Sequence, residues 1–419
     1  MFAIIDINNF YASCERVFDP SIRHKPVVVL SNNDGCIIAR SNESKALGIK
    51  MGQVFFEKEA WLKEQGVAVF SSNYPLYADM SNRMVEILQD IVDEVIIYSI
   101  DEVFVDLSSY KNNDLHAMAV MIKEKLLKYI GLPVSVGVAP TKTLAKVANF
   151  YAKRYKKFSN VLVLKDDETI KQALSLIDVG EIWGIGRQFK KFLKANNIKS
   201  ALDLRNANEK FVRKHMSVTG LRTVNELKAY SCINVDSIKE DRKNMVHTRT
   251  FKHPITNLDD LKTAIATFTV RVSEKLRNQK SAANIIGIFI ETSRFRRNYK
   301  YKDSKVINLP VPSDNTAELI KYAMKLTENI YAKGFKYKKA GVMLFALQDA
   351  SNMQYALFDN YDRPKFRKLN TSVDFLNKRL GRDTVRYAVQ GKHTKISVQE
   401  RLSPQYTTSW NHIIDVKTD

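Results

Sequence analysis

The sequence predicts a multidomain α+β protein, and three observations carry that prediction. At 419 residues the chain exceeds what one hydrophobic core usually serves. Short apolar runs with strand character alternate with helical stretches up to residue 164 and again over 247–347. Between those blocks, over 169–235, the periodicity is helical and strand patterns vanish.

The elements follow in order. "FAIID" reads as a strand, "FYASCERVF" as a helix, and "VVVL" after Pro26 as a buried strand. Ser41 to Leu47 suits a helix of one or two turns closed by Gly48. Tyr77, Met80, Met84, Ile87, Leu88 and Ile91 keep helical spacing within Leu76–Val92. "YSIDEVFVDL" (Tyr98–Leu107) joins two apolar strands, and a helix over Asp114–Tyr129 precedes the strand Pro133–Val138. In the helix after Thr141, Leu144, Val147, Ala148 and Tyr151 share one side, and Lys142, Lys146 and Lys153 fall on another. With "NVLVL" at 160–164, this order makes a small layer of one sheet backed by helices. "VDSIKEDRKNM" reads as a linker; beyond it "NIIGIFIETS" and "KAGVMLFAL" are strands, and Leu258–Asn278 and Asn315–Ala332 helices. Past Gln348 the periodicity weakens, and extended or partly disordered chain is expected.

Composition narrows the partners. The chain is 45% hydrophobic and 26% charged, with no apolar run of spanning length and no basic leader at its start, so neither membrane insertion nor secretion is expected. Cys14, Cys36 and Cys232 are widely spaced without a C-x-x-C, which argues against disulfides and structural zinc and suits a reducing cytoplasm. Sixty-six basic residues against 45 acidic ones give +21, a field that attracts polyanions. Nucleic acid leads, and an anionic membrane surface stands second. The charges cluster: Thr141–Asn160 holds six Lys/Arg and no acid, and "RFRRNYKYK" (Arg294–Lys302) holds five cations in nine residues.

Asp6 ends one apolar strand, while Asp101 and Glu102 sit at the join of two others. If these strands are neighbours, three carboxylates converge and need a cation or protons. Hard divalent ions prefer such oxygens and leave room for substrate phosphates. An exposed Asp-Glu turn is the competing explanation, and spacing alone leaves the two level. The metal site further requires the pair to sit at a turn or a distorted strand end, because a strict strand sends neighbours to opposite faces.

Five motifs in order, "DINNFYASCE", "KPVVV", "ARSNESKALGIKMG", "YSIDEVFVDL" and "VGVAPTKTLAKVAN", resemble the Y-family, translesion DNA polymerases. "SNNDGCIIAR" and "SSNYPLYADMSNR" are similar to the UmuC-type catalytic subunits of bacterial DNA polymerase V. The resemblance spans essentially the whole chain. It implies a ferredoxin-like palm (1–22 and 76–168), small fingers (23–75), a helical thumb with a helix-hairpin-helix (169–235), a linker (236–246), an α+β little finger that binds DNA (247–347) and a tail (348–419). It implies error-prone, template-directed synthesis by two-metal nucleotidyl transfer to a primer 3′-hydroxyl, within the SOS response to DNA damage.

Residue by residue, the resemblance assigns two Mg²⁺ to Asp6, Asp101 and Glu102, with the Ile7 carbonyl as a further ligand and Asp106 outside the site. Tyr11 falls at the steric gate against the sugar, supported by Phe10; without the motif it would read as packing. Lys45 and Lys153 match triphosphate contacts, with Arg40 and Asn42 nearby; on charge alone Lys153 would sit on a solvated face. "WGIGRQFKKFLKANNI" has helix-hairpin-helix form, in which Gly184, Gly186 and Arg187 approach a duplex backbone; a plain helical connection is the alternative. Arg294, Arg296 and Arg297 are candidate DNA contacts in the little finger, as against an exposed charged hairpin. Gln354, Leu357 and Phe358 of "QYALFD" match the peptide that docks on the bacterial sliding clamp, as against a buried strand. Primer-template DNA, deoxynucleoside triphosphates, the clamp, a UmuD′-like dimer and RecA are the implied partners, in a cytoplasmic, nucleoid-associated setting. Two competitors remain. A nucleotidyl cyclase also uses paired carboxylates but leaves the basic carboxyl-terminal half without a task. A DNA- and clamp-binding scaffold would not need Asp6, Asp101 and Glu102 together.

Overall fold

The computed structural model describes residues 1–110, 114–234, 241–293, 300–354, 356–357, 359, 362–391 and 399–414. They form two compact units, Met1–Ile238 with Glu400–Asp419, and Lys239–Gln399. Among the described residues no helix is long and apolar enough to cross a membrane.

In the first unit β1 (Phe2–Ile7) is the centre of a five-stranded sheet. After α1 (Phe10–Phe18) the chain enters a separate three-stranded layer. It comprises β2 (Val27–Leu30), β3 (Ile37–Arg40) and, beyond α2 (Asn42–Ala46) and α3 (Glu59–Glu64), β4 (Ala68–Ser71). This layer closes its own small core of Val28, Leu30, Ile37, Ile49, Phe55, Leu62 and Val67. α4 (Tyr74–Gln89) returns the chain to the large sheet, where β5 (Glu94–Ile97) and β6 (Glu102–Asp106) form the hairpin that the apolar runs around Asp101 predict. α5 (Leu115–Ile130), β7 (Val134–Ala139), α6 (Lys142–Arg154) and β8 (Val161–Val163) complete the order β5-β6-β1-β7-β8. Four helices follow: α7 (Asp167–Leu176), α8 (Arg187–Ala195), α9 (Ala201–Arg205) and α10 (Glu209–Leu227).

Side chains alternate along β1, so its two faces feed different cores. Ala3, Ile5 and Ile7 pack with α4 and α5, while Ile4 packs with Leu144, Val147 and Ala148 of α6. Asp6 shares the parity of Ile4, and Glu102 that of Phe104, so both carboxylates belong to the α6 face. That parity positions the site.

In the second unit β9 (Met245–Ile255), β10 (Ser281–Thr292), β11 (Lys302–Ser313) and β12 (Tyr337–Asp349) form an antiparallel sheet in the order β11-β10-β12-β9. α11 (Leu258–Asn278) and α12 (Thr316–Ile330) cover it through Leu261, Ile265, Phe268, Leu319 and Leu326.

The carboxyl-terminal region departs from the extended chain expected past Gln348. A helix, α13 (Arg363–Arg379), forms there with Asn370 its one buried residue. Ion pairs stand in for an apolar stripe: Arg277 Nε lies 2.6 Å from Asp374 Oδ2, and Arg363 Nη1 lies 3.2 Å from Glu318 Oε2. Residues 400–414 then belong to the first unit.

Candidate active site

The β1–β6 register sets Asp6 opposite Glu102, and the Ile7 N–H donates to the Asp101 carbonyl at 3.0 Å. Asp101 lies in the bend before β6 and Glu102 is the first residue of that strand, which meets the requirement for a distorted strand end. The bend is tied by Ser99, whose hydroxyl donates to Asp101 Oδ1 at 2.6 Å and accepts from the Glu102 N–H at 3.0 Å. Asp106 stands at the far end of β6 opposite Phe2, where it caps the Ser108 N–H at 2.8 Å. Ile7 ends β1 beside Asp6, paired with Val134.

Asp6 is 7% exposed, and burial pushes its carboxyl up to about 7; the Lys153 ammonium pulls it down and Glu102 pushes it up again. Two cations from α6 face this pair. Lys153 Nζ is ion-paired with Asp6 Oδ2, and Lys146 Nζ lies 3.0 and 2.9 Å from the two Glu102 oxygens. Asn149 Nδ2 donates to Asp6 at 3.4 Å. Lys146 also sits 4.5 Å from the Tyr98 ring centroid, 5.6 Å from Trp183 and 5.8 Å from Phe104. The Trp183 indole N–H donates to the Tyr98 hydroxyl at 2.9 Å, fastening the start of the helical segment to the β5–β6 hairpin.

The donors suit a hard divalent cation, since they are all carboxylate oxygens. Glu102, paired with Asp6 in the β1–β6 register, pushes the Asp6 carboxyl up, a like-charge pairing that a proton or cation must relieve. Yet among the described residues no three carboxylate, imidazole or thiol side chains are gathered into a ready metal cage. Lys146 pairs with Glu102 and Lys153 with Asp6, and Asp101 is turned to Ser99.

At the start of α1, Tyr11 stacks on Tyr77 with ring centroids 4.3 Å apart and planes at 14°. Phe10, 5% exposed, backs it at 5.3 Å, and Tyr74 meets it edge-on at 5.9 Å. Asn9 makes the turn into α1 with φ 53°, a left-handed conformation that Asn tolerates. Its side chain bridges to the smaller sheet's helix: Lys45 Nζ donates to Asn9 Oδ1 at 2.5 Å, and Asn9 Nδ2 donates to Asn42 Oδ1 at 3.0 Å. Burial lowers the Lys45 ammonium, and the nearby Arg40 and Lys153 lower it further while Asp6 opposes. Arg40 is held by its Nη1 donating to the Ile49 carbonyl at 2.6 Å. Arg40, Lys45 and Lys153 thus form one cluster of mutually repelling cations beside the carboxylates, a site that an anion would relieve.

Gly184 adopts φ 90° and Gly186 caps α8, whose Arg187, Gln188, Lys190, Lys191 and Lys194 line a shallow basic depression. Two of these lysines are engaged: Asp178 pairs with Lys190 at 3.0 Å and Lys194 at 2.5 Å. Arg187 and Lys191 remain exposed on that helix. Gln354 is exposed and Leu357 is 92% exposed, so the described part of that motif is not a buried strand; Phe358 lies outside the described residues. Arg294, Arg296 and Arg297 also lie outside them.

Sequence reasoning missed Lys146, Asn149 and Tyr77 as parts of this site. The shared azimuth of Lys146 and Lys153 was the available signal, but the Trp183 side of the cage comes from a distant segment.

Residues 5–149 match the impB/mucB/samB family, 242–357 its C-terminal domain, and 367–416 a domain of unknown function (DUF4113). The chain is 40% identical to Protein UmuC of Salmonella typhimurium across 100% of both chains. It is 26% identical to DNA polymerase IV 1 of Bacillus subtilis, over 91% of each. Among solved structures, a Y-family DNA polymerase chimera, Dbh-Dpo4(243-245)-Dbh, superposes with a TM-score of 0.65 at 22% identity, covering 82% of this chain and 98% of that one. Full-length identity to UmuC and a Y-family fold around the Asp6–Glu102 strand pair agree: the chain belongs to the impB/mucB/samB family and is a DNA-directed DNA polymerase of the Y-family, UmuC type.

Proposed function

We propose that the chain performs error-prone translesion synthesis by two-metal nucleotidyl transfer, within the SOS response. The observation that carries this is the β1–β6 register, which holds Asp6, Asp101 and Glu102 at one strand end beside the cluster Arg40, Lys45 and Lys153. Asp6, Asp101, Glu102 and the Ile7 carbonyl would hold two Mg²⁺ ions, which supply activation of a hydroxyl and neutralisation of phosphate charge. Lys45, Lys153 and Arg40 bind the triphosphate, and Lys153 leaves Asp6 to do so. The Tyr11 ring excludes a 2′-hydroxyl, with Phe10 behind it. Gly184, Gly186 and Arg187 present backbone N–H groups and a cation to a DNA phosphate, which positions DNA without reading sequence. Palm (1–22 and 76–168), fingers (23–75), thumb (169–235), little finger (247–347, with Arg294, Arg296 and Arg297 on DNA) and tail (348–419) are the matching assignments. Kinship with UmuC supports a UmuD′-like dimer and RecA as partners and a cytoplasmic, nucleoid-associated site of action.

Primer extension tests this. With a primed template and deoxynucleotides, extension is expected to vanish with chelator and to return with Mg²⁺. Nucleotide consumption without a primed template would instead indicate a cyclase. No extension, even with a UmuD′-like dimer and RecA supplied, would indicate a scaffold.

Clamp docking by Gln354, Leu357 and Phe358 belongs to the same proposal, supported by the exposure of Leu357. Leu357→Ala is expected to weaken clamp binding by about tenfold or more, as for a buried apolar anchor. Calorimetry against the clamp checks it, and unchanged affinity would remove the motif from the reading.

A further inference from the structure

Glu102 is gripped twice. Its carbonyl accepts from the Tyr98 N–H at 3.2 Å and the Ser99 N–H at 3.0 Å, which closes the β5–β6 turn. Its carboxylate takes the Lys146 ammonium on both oxygens, at 3.0 and 2.9 Å, and the two side chains are only 22% and 18% exposed. That shielding separates the pair from solvated surface pairs, which hold little.

A long lysine stem is not steadied by one carboxylate alone, and three rings supply the rest. The Lys146 Nζ lies 4.5 Å from the Tyr98 centroid, 5.6 Å from Trp183 and 5.8 Å from Phe104, each within the range at which an aromatic ring attracts a cation. The rings brace one another. Tyr98 meets Phe104 at 5.7 Å and Trp183 at 5.4 Å, both edge-on, and Phe104 and Trp183 lie 6.0 Å apart. Phe104 is a wholly buried wall in the sheet, and Tyr98 sits in the turn that carries Glu102. Trp183 is the wall that arrives from another segment, fastened by its N–H to the Tyr98 hydroxyl at 2.9 Å.

Trp183 also precedes Gly184, whose φ of 90° turns the chain toward Gly186 and α8. Ile182 and Ile185, both buried, flank the indole, and the Ile185 N–H donates to the Ile182 carbonyl at 3.0 Å. A turn tied in this way moves as one piece, so a displacement of Gly184 and Gly186 carries Trp183 with it.

We propose that Trp183, acting through Lys146, couples the seating of duplex DNA on the Gly184–Gly186 turn to the placement of the Glu102 carboxylate. This rests on Glu102 being catalytic and on that turn being the duplex contact. Lys146 and Trp183 are positioning residues: a phosphate held by the turn seats the indole, the closed cage steadies the ammonium, and the ammonium orients the carboxylate.

Two measurements on the full chain test it. The first is single-nucleotide extension of a primed template at saturating DNA. Lys146→Met keeps the stem and drops the charge. It is expected to lower kcat about ten- to thirtyfold, the scale for losing a group that orients a ligand, with duplex affinity within about twofold of wild type. Lys146→Arg, which straddles both oxygens and still stacks on the rings, is expected to recover most of that loss. Trp183→Phe, which keeps a ring and loses the N–H, is expected to cost about threefold alone and nothing further in the Lys146→Met background. Losses that multiply would make the two contacts independent packing and overturn the coupling. The second measurement needs neither metal nor nucleotide. With Trp61→Phe and Trp410→Phe, Trp183 is the one tryptophan left of three, and primed duplex added in chelator is expected to shift its emission. An emission unmoved by a duplex that binds overturns the proposal, and this measurement decides should Lys146→Met melt early. The underlying reading fails separately. Normal extension by Glu102→Gln removes Glu102 from the chemistry, and undiminished duplex binding by Arg187→Ala removes the turn from the interface; the proposal falls with either.

Discussion

Asp6→Asn is expected to lower primer extension by about 10³-fold, the scale of losing a preorganised electrostatic contact at a reacting centre. The substitution keeps shape and removes charge. Asn149, Lys153 and Glu102 all find hydrogen-bonding partners in an amide, so DNA binding is expected to stay within about twofold of wild type. The melting temperature supplies an independent sign. The Asp6 carboxyl lies at about 7 in the fold against an ordinary 3.8. A folded state that holds the proton more tightly is favoured at low pH. Its advantage is full below about 4 and is lost as pH rises through about 7. Metal-free wild type should therefore lose stability across that window, and Asp6→Asn should flatten the curve and melt no lower at pH 8. Added Mg²⁺ should raise the wild-type melting temperature by mass action and leave the variant nearly unmoved. Full extension by Asp6→Asn, or equal stabilisation of both proteins by Mg²⁺, would remove Asp6 from the proposed metal site.

Much of the first unit was legible because its strands are buried and its helices amphipathic. The hairpin around Asp101 and Glu102 follows from two apolar runs, and the parity of Asp6 with Ile4 follows from strand alternation. In the second unit β9 and β11 escaped notice for one reason. Both are edge strands in the observed order, with few buried positions, and they carry Pro254, Pro310 and Pro312, which only edges accommodate easily. α13 escaped because ion pairs rather than an apolar stripe hold it. Residues 400–406, which bond to Ser71 and Asn73, form a short segment far away in sequence, so no local pattern could announce their place. The cage of Tyr98, Phe104 and Trp183 around Lys146 likewise joins three segments that only the fold brings together.

Gly137→Ala is expected to be the most damaging single methyl group in the first unit. Gly137 lies in β7 beneath α6, and a Cβ there would fall 2.3 Å from the Asn149 nitrogen, 2.4 Å from the Ala145 carbonyl oxygen and 2.8 Å from the Asn149 Cα. These are backbone atoms, so no side-chain rotation makes room, and the helix must lift off the sheet. Overpacking of this kind costs about 3 kcal/mol or more, which lowers the melting temperature by roughly 6–12 °C in a unit of this size. α6 carries Lys146, Asn149 and Lys153, so the lift also withdraws the contacts to Glu102 and Asp6, and extension by the surviving folded protein should fall with it. Gly186→Ala is the control: its φ is −77° and an added Cβ meets nothing within 4 Å, so only the poorer N-cap of α8 is felt, about 1 kcal/mol or less, and melting should fall by no more than about 4 °C. Equal melting of the two variants would show that α6 does not bear on β7 as closely as this geometry requires.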